Sequence, residues 1–277
     1  MDAKVLSEAS LLDLRPKNSF GKCHILNSTN IPLSELIERI HELPSNSQPI
    51  NLLGYQAELI SAMDILEKRG YHINAQQAVE DEQLLSIKDG HYVITGEDSK
   101  PLWKPAKVVE SFVQKYADLC EDKIGLDLAC GSGRDSVYMA LNGWSMTSVD
   151  HSRNALDRLQ QLAKINQQSV RSRQLDLEQN FSEIRSMNCS YSAIVVVRYL
   201  HRPILDQLRS LIAPKGFIIY QTFLRGSEQF GSPKNPRYLL EDGELANRFS
   251  DFKIYENKID YLPDGRPTNC FIAQKLE

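Results

Sequence analysis

No two of the five cysteines, Cys23, Cys120, Cys130, Cys189 and Cys270, are spaced as CxxC, and their number is odd. That excludes a disulfide framework and a cysteine zinc site, and it fits a reducing compartment. Long apolar runs are also missing, since no stretch approaches the ~20 residues of a membrane-spanning helix. The opening MDAKVLSEAS lacks the basic-then-apolar order of a secretion signal. A cytoplasmic protein without membrane contact is the expectation. Excess charge is small, at −4. With no Lys/Arg run and no aromatic-interleaved basic patch, nucleic acid is disfavoured as a partner. The acidic excess sits in residues 1–95, with 8 Lys+Arg against 13 Asp+Glu, and the remainder is near neutral at 24 against 23. Repeats and low-complexity segments are absent.

What is present is an ordinary globular composition, 42% hydrophobic and 25% charged, on 277 residues. That length allows one large domain, or a small one plus a medium one. The first part alternates strand and helix. Leu11–Arg15 reads as a strand stopped by Pro16, and Ile31–Leu33 leads into an amphipathic helix through Ile37, Ile40 and Leu43. Ile50–Leu53 is a buried strand, and Ala57–Arg69 a helix closed by Gly70. From about Ala75 the pattern weakens into polar, turn-forming residues. Domains are therefore expected at 1–80 and 105–277, with a linker at 81–104. Beyond Lys107 the alternation resumes. Strands are expected near 124–129, 146–149, 170–175, 193–197, 217–223, 253–260 and 268–274, with a turn at Pro214–Gly216. Short β-branched strands alternating with helices predict an α/β fold, an open doubly wound sheet with its ligand beyond the C-terminal strand ends.

The strongest local signal is the run Leu126-Asp127-Leu128-Ala129-Cys130-Gly131-Ser132-Gly133-Arg134-Asp135. A strand ends in a turn whose two glycines let a ligand approach the backbone at the start of the next helix. Asp127 lies inside an apolar strand, where an ionised carboxylate is costly unless paired. Asp150 ends the next strand, where a carboxylate can accept both hydroxyls of a ribose. A dinucleotide fold asks for a third Gly or Ala at position 136, where this chain has Ser136, and asks for no acid within the first strand. A sulfonium nucleoside with an amino-acid tail has no pyrophosphate to hold, and its ammonium gives the strand carboxylate a use. The spacing favours S-adenosyl-L-methionine over a nicotinamide cofactor.

The run LDLACGSGRDSVYMALNGWSMTSVDHS resembles motifs I and II of class I S-adenosylmethionine-dependent methyltransferases. VVVRYLHRPIL and APKGFIIYQTFLRG resemble the fourth- and fifth-strand motifs of the tellurite-resistance-related group. The resemblance runs from about Trp103 to the C-terminus. It implies a Rossmann-like, mostly parallel seven-stranded sheet, S-adenosyl-L-methionine as cofactor and a small-molecule acceptor. It also implies that Gly131 and Gly133, with Ala129 and Arg134 beside them, form the cofactor loop. Asp150 and His151 would lie at the ribose, and Asp176 and Leu177 at the adenine. Arg198 and Tyr199 would face donor and acceptor as catalytic candidates, Arg198 also touching the cofactor, with Trp103 at the edge of the site.

Simpler roles stand beside these. Asp127 can be satisfied by amides of its own turn, Asp150 can cap the following helix, and Asp176 can be a solvated turn residue. Arg198 and Arg202 can be surface ion-pair partners, Trp103 can pack on the next domain, and His201 before Pro203 can be structural. Cys130 reads as a small buried residue rather than a nucleophile. The amino-methylase signature Asn/Asp-Pro-Pro-aromatic is absent. No general base stands out, which suits an already nucleophilic acceptor such as a thiolate or metalloid anion. Residues 226–238 are long enough for a lid. Binding of the cofactor without transfer, as a sensor or scaffold, is the alternative.

The N-terminal third, through Leu11-Leu12-Asp13-Leu14-Arg15-Pro16, Cys23-His24-Ile25 and Asn30-Ile31-Pro32-Leu33, resembles a rhodanese-like domain. In active members a cysteine opens the loop after the central strand. Here that loop reads Leu53-Gly54-Tyr55-Gln56-Ala57. The resemblance implies the fold without sulfurtransferase chemistry, as a docking module for a protein partner or as a stabilising one.

Overall fold

The computed structural model describes residues 10–44, 46, 48–86, 92–97, 99–185, 190–262 and 264–276. Cys189, Asp98 and most of the opening MDAKVLSEAS lie outside them. The chain divides into two units, Met1–Trp103 and Lys104–Glu277.

The first unit holds strands β1 (Leu11–Asp13), β2 (His24–Ile25), β3 (Thr29–Asn30), β4 (Ile50–Gly54), β5 (Ile73–Ala78) and β6 (Val93–Ile94). Its helices are α1 (Lys17–Lys22), α2 (Gln56–Glu67) and α3 (Asp81–Leu85). A parallel sheet runs in the order β3-β1-β4-β5, and β2 pairs with β6 antiparallel. The two-residue period of a strand sends Leu12 and Leu52 to one face and Leu11 and Leu53 to the other. Both faces are covered, the first by Leu36, Leu59 and Leu66, the second by Ile25, Val79 and Leu84.

Two expectations fail here. No continuous helix follows Ile31; two short 3₁₀ turns, Leu33–Glu35 and Ile40–Glu42, stand in its place. Arg39 turns inward there, bonding Glu42 through two nitrogens (2.7 and 2.8 Å) and Glu35 at 2.9 Å. Ile37, which a helix would have buried, is 58% exposed. A buried ion pair has taken the position of an apolar stripe. The expected linker at 81–104 instead carries α3 and β6, and all of it but Lys104 belongs to the first unit. It is anchored by buried Leu84 and by the Gly96 N–H on the Gly21 carbonyl at 2.9 Å. Its elements are too short for periodicity to reveal them.

The second unit holds α4 (Lys107–Lys115), β7 (Ile124–Leu128), α5 (Arg134–Leu141), β8 (Ser145–Asp150), α6 (Arg153–Ile165) and β9 (Arg171–Gln174). Then come α7 (Ser182–Arg185), β10 (Tyr191–Val197), α8 (Arg202–Leu208), β11 (Ile212–Phe223), α9 (Glu244–Arg248), β12 (Lys253–Tyr261) and β13 (Pro267–Gln274). The sheet order is β12-β13-β11-β10-β7-β8-β9. It is mixed, because β13 runs antiparallel to both β11 and β12 while the other six strands run in one direction. The expected turn at Pro214–Gly216 lies within β11, as a bulge with Lys215 at φ 59° and a register shift opposite Tyr191–Ala193.

The chain enters the sheet at its centre on β7, moves outward through β8 and β9, then crosses back to β10 on the other side. The strand order therefore reverses between β7 and β10, where such sheets bind ligands beyond their carboxyl ends. Leu126, Leu128, Ile194, Val196 and Ile218 pack with α8 and α9 on one face. On the other, Phe112 of α4 packs near Trp144 and Phe217, and Asp127 points the same way toward α5. Among the described residues no helix is long and apolar enough to cross a membrane.

Glu256 ties the edge strand β12 to α4, accepting from Ser111 Oγ (2.6 Å), Lys115 Nζ (3.1 Å) and Tyr116 OH (3.2 Å), with Lys258 Nζ at 2.7 Å. Burial raises its pKa, but Lys258, Ser111 and Lys115 outweigh burial and hold it at about 2. A depressed carboxylate contributes stability above its ordinary pKa, and that contribution is lost as pH falls through about 2. Glu256→Gln should therefore cost about 1–3 kcal/mol near neutrality. In urea unfolding across pH, the gap to wild type should close in acid.

Candidate active site

The turn after β7 holds three left-handed residues in five positions, Ala129 (φ 56°), Gly131 (φ 54°) and Gly133 (φ 78°). The two glycines serve different ends. A Cβ on Gly133 would meet Leu159 of α6 at 2.3 Å, so this glycine lets α5 and α6 close together. A Cβ on Gly131 would meet nothing within 4 Å. Its open face is where a ligand can reach the backbone. Ala129 adopts the same conformation with a side chain, a local strain of the kind that collects at functional turns.

Asp150 fastens the end of β8 to this turn. Its Oδ2 accepts from the Gly131 N–H at 2.9 Å, and its Oδ1 from the Ser152 N–H at 2.8 Å. The N-cap of α6 is Ser152, whose Oγ accepts from Ala155, so Asp150 is not the cap. Beside it, His151 is largely exposed, with Nδ1 3.4 Å from Asp150 Oδ1.

Asp127 is 2% exposed and accepts from Ser136 Oγ at 2.5 Å; Ser148 Oγ in turn donates to Ser136 Oγ at 2.7 Å. The Asp127 carboxyl is pushed well above the usual carboxylate range, by burial first and by Asp135 next, with Asp150 adding to this and Ser136 opposing it. Asp135 accepts from the Ala106 N–H at 2.7 Å. Its pKa is also raised by burial, against the pull of Ala106, Arg198 and Arg134. Burial, Asp127 and Asp150 push the Cys130 thiol upward, so it is no ready nucleophile.

At the end of β10, Arg198 is exposed and left-handed (φ 57°), with its N–H on the Gln221 carbonyl at 2.7 Å. The Tyr199 hydroxyl is buried with no hydrogen-bond partner among the described residues. Burial pushes this phenol up, helped by Glu178 and Asp176. Across the site, Asp176 Oδ1 accepts from the Glu178 N–H at 2.9 Å, and the Leu177 side chain lies in the core. Only the backbone of Leu177 is left to meet a ligand. His201 starts α8 with Nδ1 3.9 Å from Glu178.

Residues 226–238 form a strap rooted where the Leu240 N–H meets the Phe223 carbonyl (2.8 Å) and the Arg225 N–H meets the Leu240 carbonyl (3.0 Å). One side is fixed to the β12–β13 turn by Arg266 on the Ser232 carbonyl. The other reaches the loop after β9 through Arg237 and Glu178 at 2.8 Å. Arg202 supports it from below, bonded twice to Glu244 and donating to the carbonyls of Arg237 and Leu239. A cavity of about 720 Å³ opens at the root of the strap beside Arg202, Arg225, Arg237 and Glu244; neither the glycine turn nor Asp150 lines it.

Ala129, Gly131, Gly133, Arg134, Asp127 and Asp150 thus gather at the switch point, with Asp176, Arg198 and Tyr199 around it. Trp103 is the last residue of the first unit. The sequence alone assigns no ligand-binding or supporting role to Ser136, Ser148 or Asp135. A polar Ser148 directly opposite Asp127 in the strand register was the available signal. Among the described residues no group of His, Cys, Asp and Glu is placed to hold a metal ion.

Comparison with known proteins finds a match to the family described as tellurite resistance protein TehB over residues 106–260. An uncharacterised protein of Schizosaccharomyces pombe is 23% identical over 329 residues, covering 99% of this chain and 96% of its own. Among solved structures, the N-methyltransferase NodS of Bradyrhizobium japonicum WM9 superposes with a TM-score of 0.50 at 15% identity, covering 62% of this chain and 96% of that one. TehB of Haemophilus influenzae gives 0.48 at 19% identity, over 61% and 67%. The likeness to NodS is one of fold.

The two glycines should separate experimentally. Gly133→Ala combines a left-handed strain with the Leu159 clash and should destabilise the second unit by about 2–4 kcal/mol in urea unfolding. Gly131→Ala meets no clash and should cost only about 1 kcal/mol.

Proposed function

Because the chain belongs to the TehB family of tellurite resistance proteins, through its second unit, we propose that it transfers a methyl group from S-adenosyl-L-methionine to a small-molecule acceptor. The observation that carries this reading is the buried Asp127 carboxylate, set behind a turn whose Gly131 faces open space. A carboxylate raised by burial and by two acidic neighbours suits a ligand that brings positive charge, as an aminoacyl sulfonium does. It is a poor place for the pyrophosphate of a dinucleotide.

On this reading Asp127 holds the ammonium, directly or through water, and Arg134 the carboxylate of the amino-acid end. Asp150, already oriented by two amides, takes the ribose hydroxyls, with Ala129 and His151 alongside. Asp176 and the Leu177 backbone meet the adenine. When bound, S-adenosyl-L-methionine supplies a methyl group made electrophilic by the sulfonium charge. Arg198 and Tyr199 orient the acceptor, and positioning supplies much of the rate. The raised Tyr199 phenol keeps its proton at neutral pH, so it donates a hydrogen bond rather than acting as a base. Anchored on both sides, the strap excludes water from the strand ends.

The first unit reads best as a rhodanese-like module without sulfur-transfer chemistry. Its parallel sheet and the β4–loop–α2 order support this, and the loop Leu53-Gly54-Tyr55-Gln56-Ala57 holds no cysteine. A docking or stabilising role follows for it.

Calorimetry tests the cofactor reading. Wild type should bind S-adenosylmethionine and S-adenosylhomocysteine in the micromolar range, and Asp150→Ala should lose about tenfold or more of that affinity while staying folded. Small thiols and metalloid oxyanions are the first acceptors to assay. A folded wild type that binds neither ligand would sink the proposal, and binding without turnover on any acceptor class would favour a sensor.

A further inference from the structure

Two buried hydroxyls at the site are used by none of the roles above. Ser148 sits directly opposite Asp127 in the β7–β8 register, and Ser136 lies in the first turn of α5; both are 0% exposed. Their donors run one way, from Ser148 to Ser136 (2.7 Å) and from Ser136 to Asp127 Oδ2 (2.5 Å). Buried hydroxyls are costly unless satisfied, and packing alone would be served by the glycine or alanine that a dinucleotide-binding turn carries at this position. The hydroxyl at position 136 therefore has a polar purpose. We propose that Ser136, backed by Ser148, is a positioning residue that fixes the Asp127 carboxylate, in its charged form, for the cationic amino-acid end of the cofactor. The inference rests on the methyltransferase reading and assigns a function to two residues which that reading leaves idle.

The surroundings of Asp127 make this hydroxyl matter. Asp135 faces it from α5, Asp150 from the end of β8 and Cys130 from the turn, while the charges of Arg134 and, from the end of β10, Arg198 act on Asp135. Both neighbouring carboxylates oppose ionisation of Asp127. Against burial and these two acids, the group favouring the charged form is Ser136, through its hydroxyl and its backbone N–H. Without the hydroxyl the free protein keeps the Asp127 proton to higher pH. An incoming cation must then displace that proton, and binding weakens most on the acid side.

The test is calorimetry of S-adenosylmethionine binding to the full chain from about pH 6 to about pH 9, in paired buffers of different ionisation enthalpy. Comparing variant with wild type at each pH cancels titration of the ligand itself. Ser136→Ala should bind about tenfold or more weakly near pH 6, with the ratio narrowing toward pH 9 and more protons released on binding than in wild type. Ser148→Ala should shift the acid limb in the same direction by less. A loss of equal size at every pH would mean damaged packing and overturn the proposal, as would unchanged binding. Should Ser136→Ala fail to fold, Ser148→Ala carries the test by the same criteria. Wild type that binds no cofactor overturns the methyltransferase reading and the relay with it, whereas normal wild-type binding with unaltered variants overturns the relay alone.

Discussion

The burial of the Asp127 carboxylate close to Asp135 and Asp150 is the constraint around which the second unit is arranged. Three acids, two near the ends of adjacent strands and one in the first turn of α5, repel one another in a medium that screens poorly. Each is held by a specific donor. Asp127 has the Ser136 hydroxyl, Asp135 the Ala106 N–H, and Asp150 the amides of Gly131 and Ser152. None of these donors carries a full charge. Burial pushes Asp127 and Asp135 toward their protonated forms in the free protein, and the charges of Arg134 and Arg198 act on Asp135. Such an arrangement wastes stability unless something cationic completes it.

The topology makes the arrangement possible. Reversal of strand order between β7 and β10 leaves a crevice at the sheet's centre, and the left-handed turn after β7 keeps backbone out of it. Gly133 brings α5 against α6, which carries Ser136 to Asp127. The strap then crosses the same end of the sheet, from the β12–β13 turn on one side to the loop after β9 on the other. Its two outer anchors, Arg266 on the Ser232 carbonyl and Arg237 on Glu178, lie at exposed positions, where such bonds are individually weak.

The cofactor turn was legible because it breaks local rules: an acid in an apolar strand and two glycines at a helix start have few readings. A β-branched run made β10 legible, whereas β9, Arg-Ser-Arg-Gln, could be placed only by the flanking Val170 and Leu175. What stayed hidden depended on partners distant in sequence. Arg39 looks like a surface residue of an amphipathic helix until Glu35 and Glu42 turn it inward. The segment around Leu84 and Val93 carries too few apolar residues for any period, and only the neighbouring β2 and Val79 define it. Ser136 departs from what a dinucleotide fold requires, but its use appears only when β8 brings Ser148 beside it.

The first unit shows how a loop at the end of a parallel strand can be closed rather than used. Tyr55 follows β4, and its hydroxyl lies 2.8 Å from Ser19 Oγ and 2.9 Å from Asp81 Oδ1. Asp81 also meets Arg15 at 3.2 Å, and Arg15 is bonded to Asp13 and to the Cys23 carbonyl. The Tyr55 N–H is engaged by Glu58, an acid in the first turn of α2. A helix N-terminus attracts anions through its free amides and its dipole, and a carboxylate already placed there repels a second negative group. The same residues that remove an anion site also cross-link β1, α1, α2 and α3. The network thus closes the loop after β4 and makes it rigid.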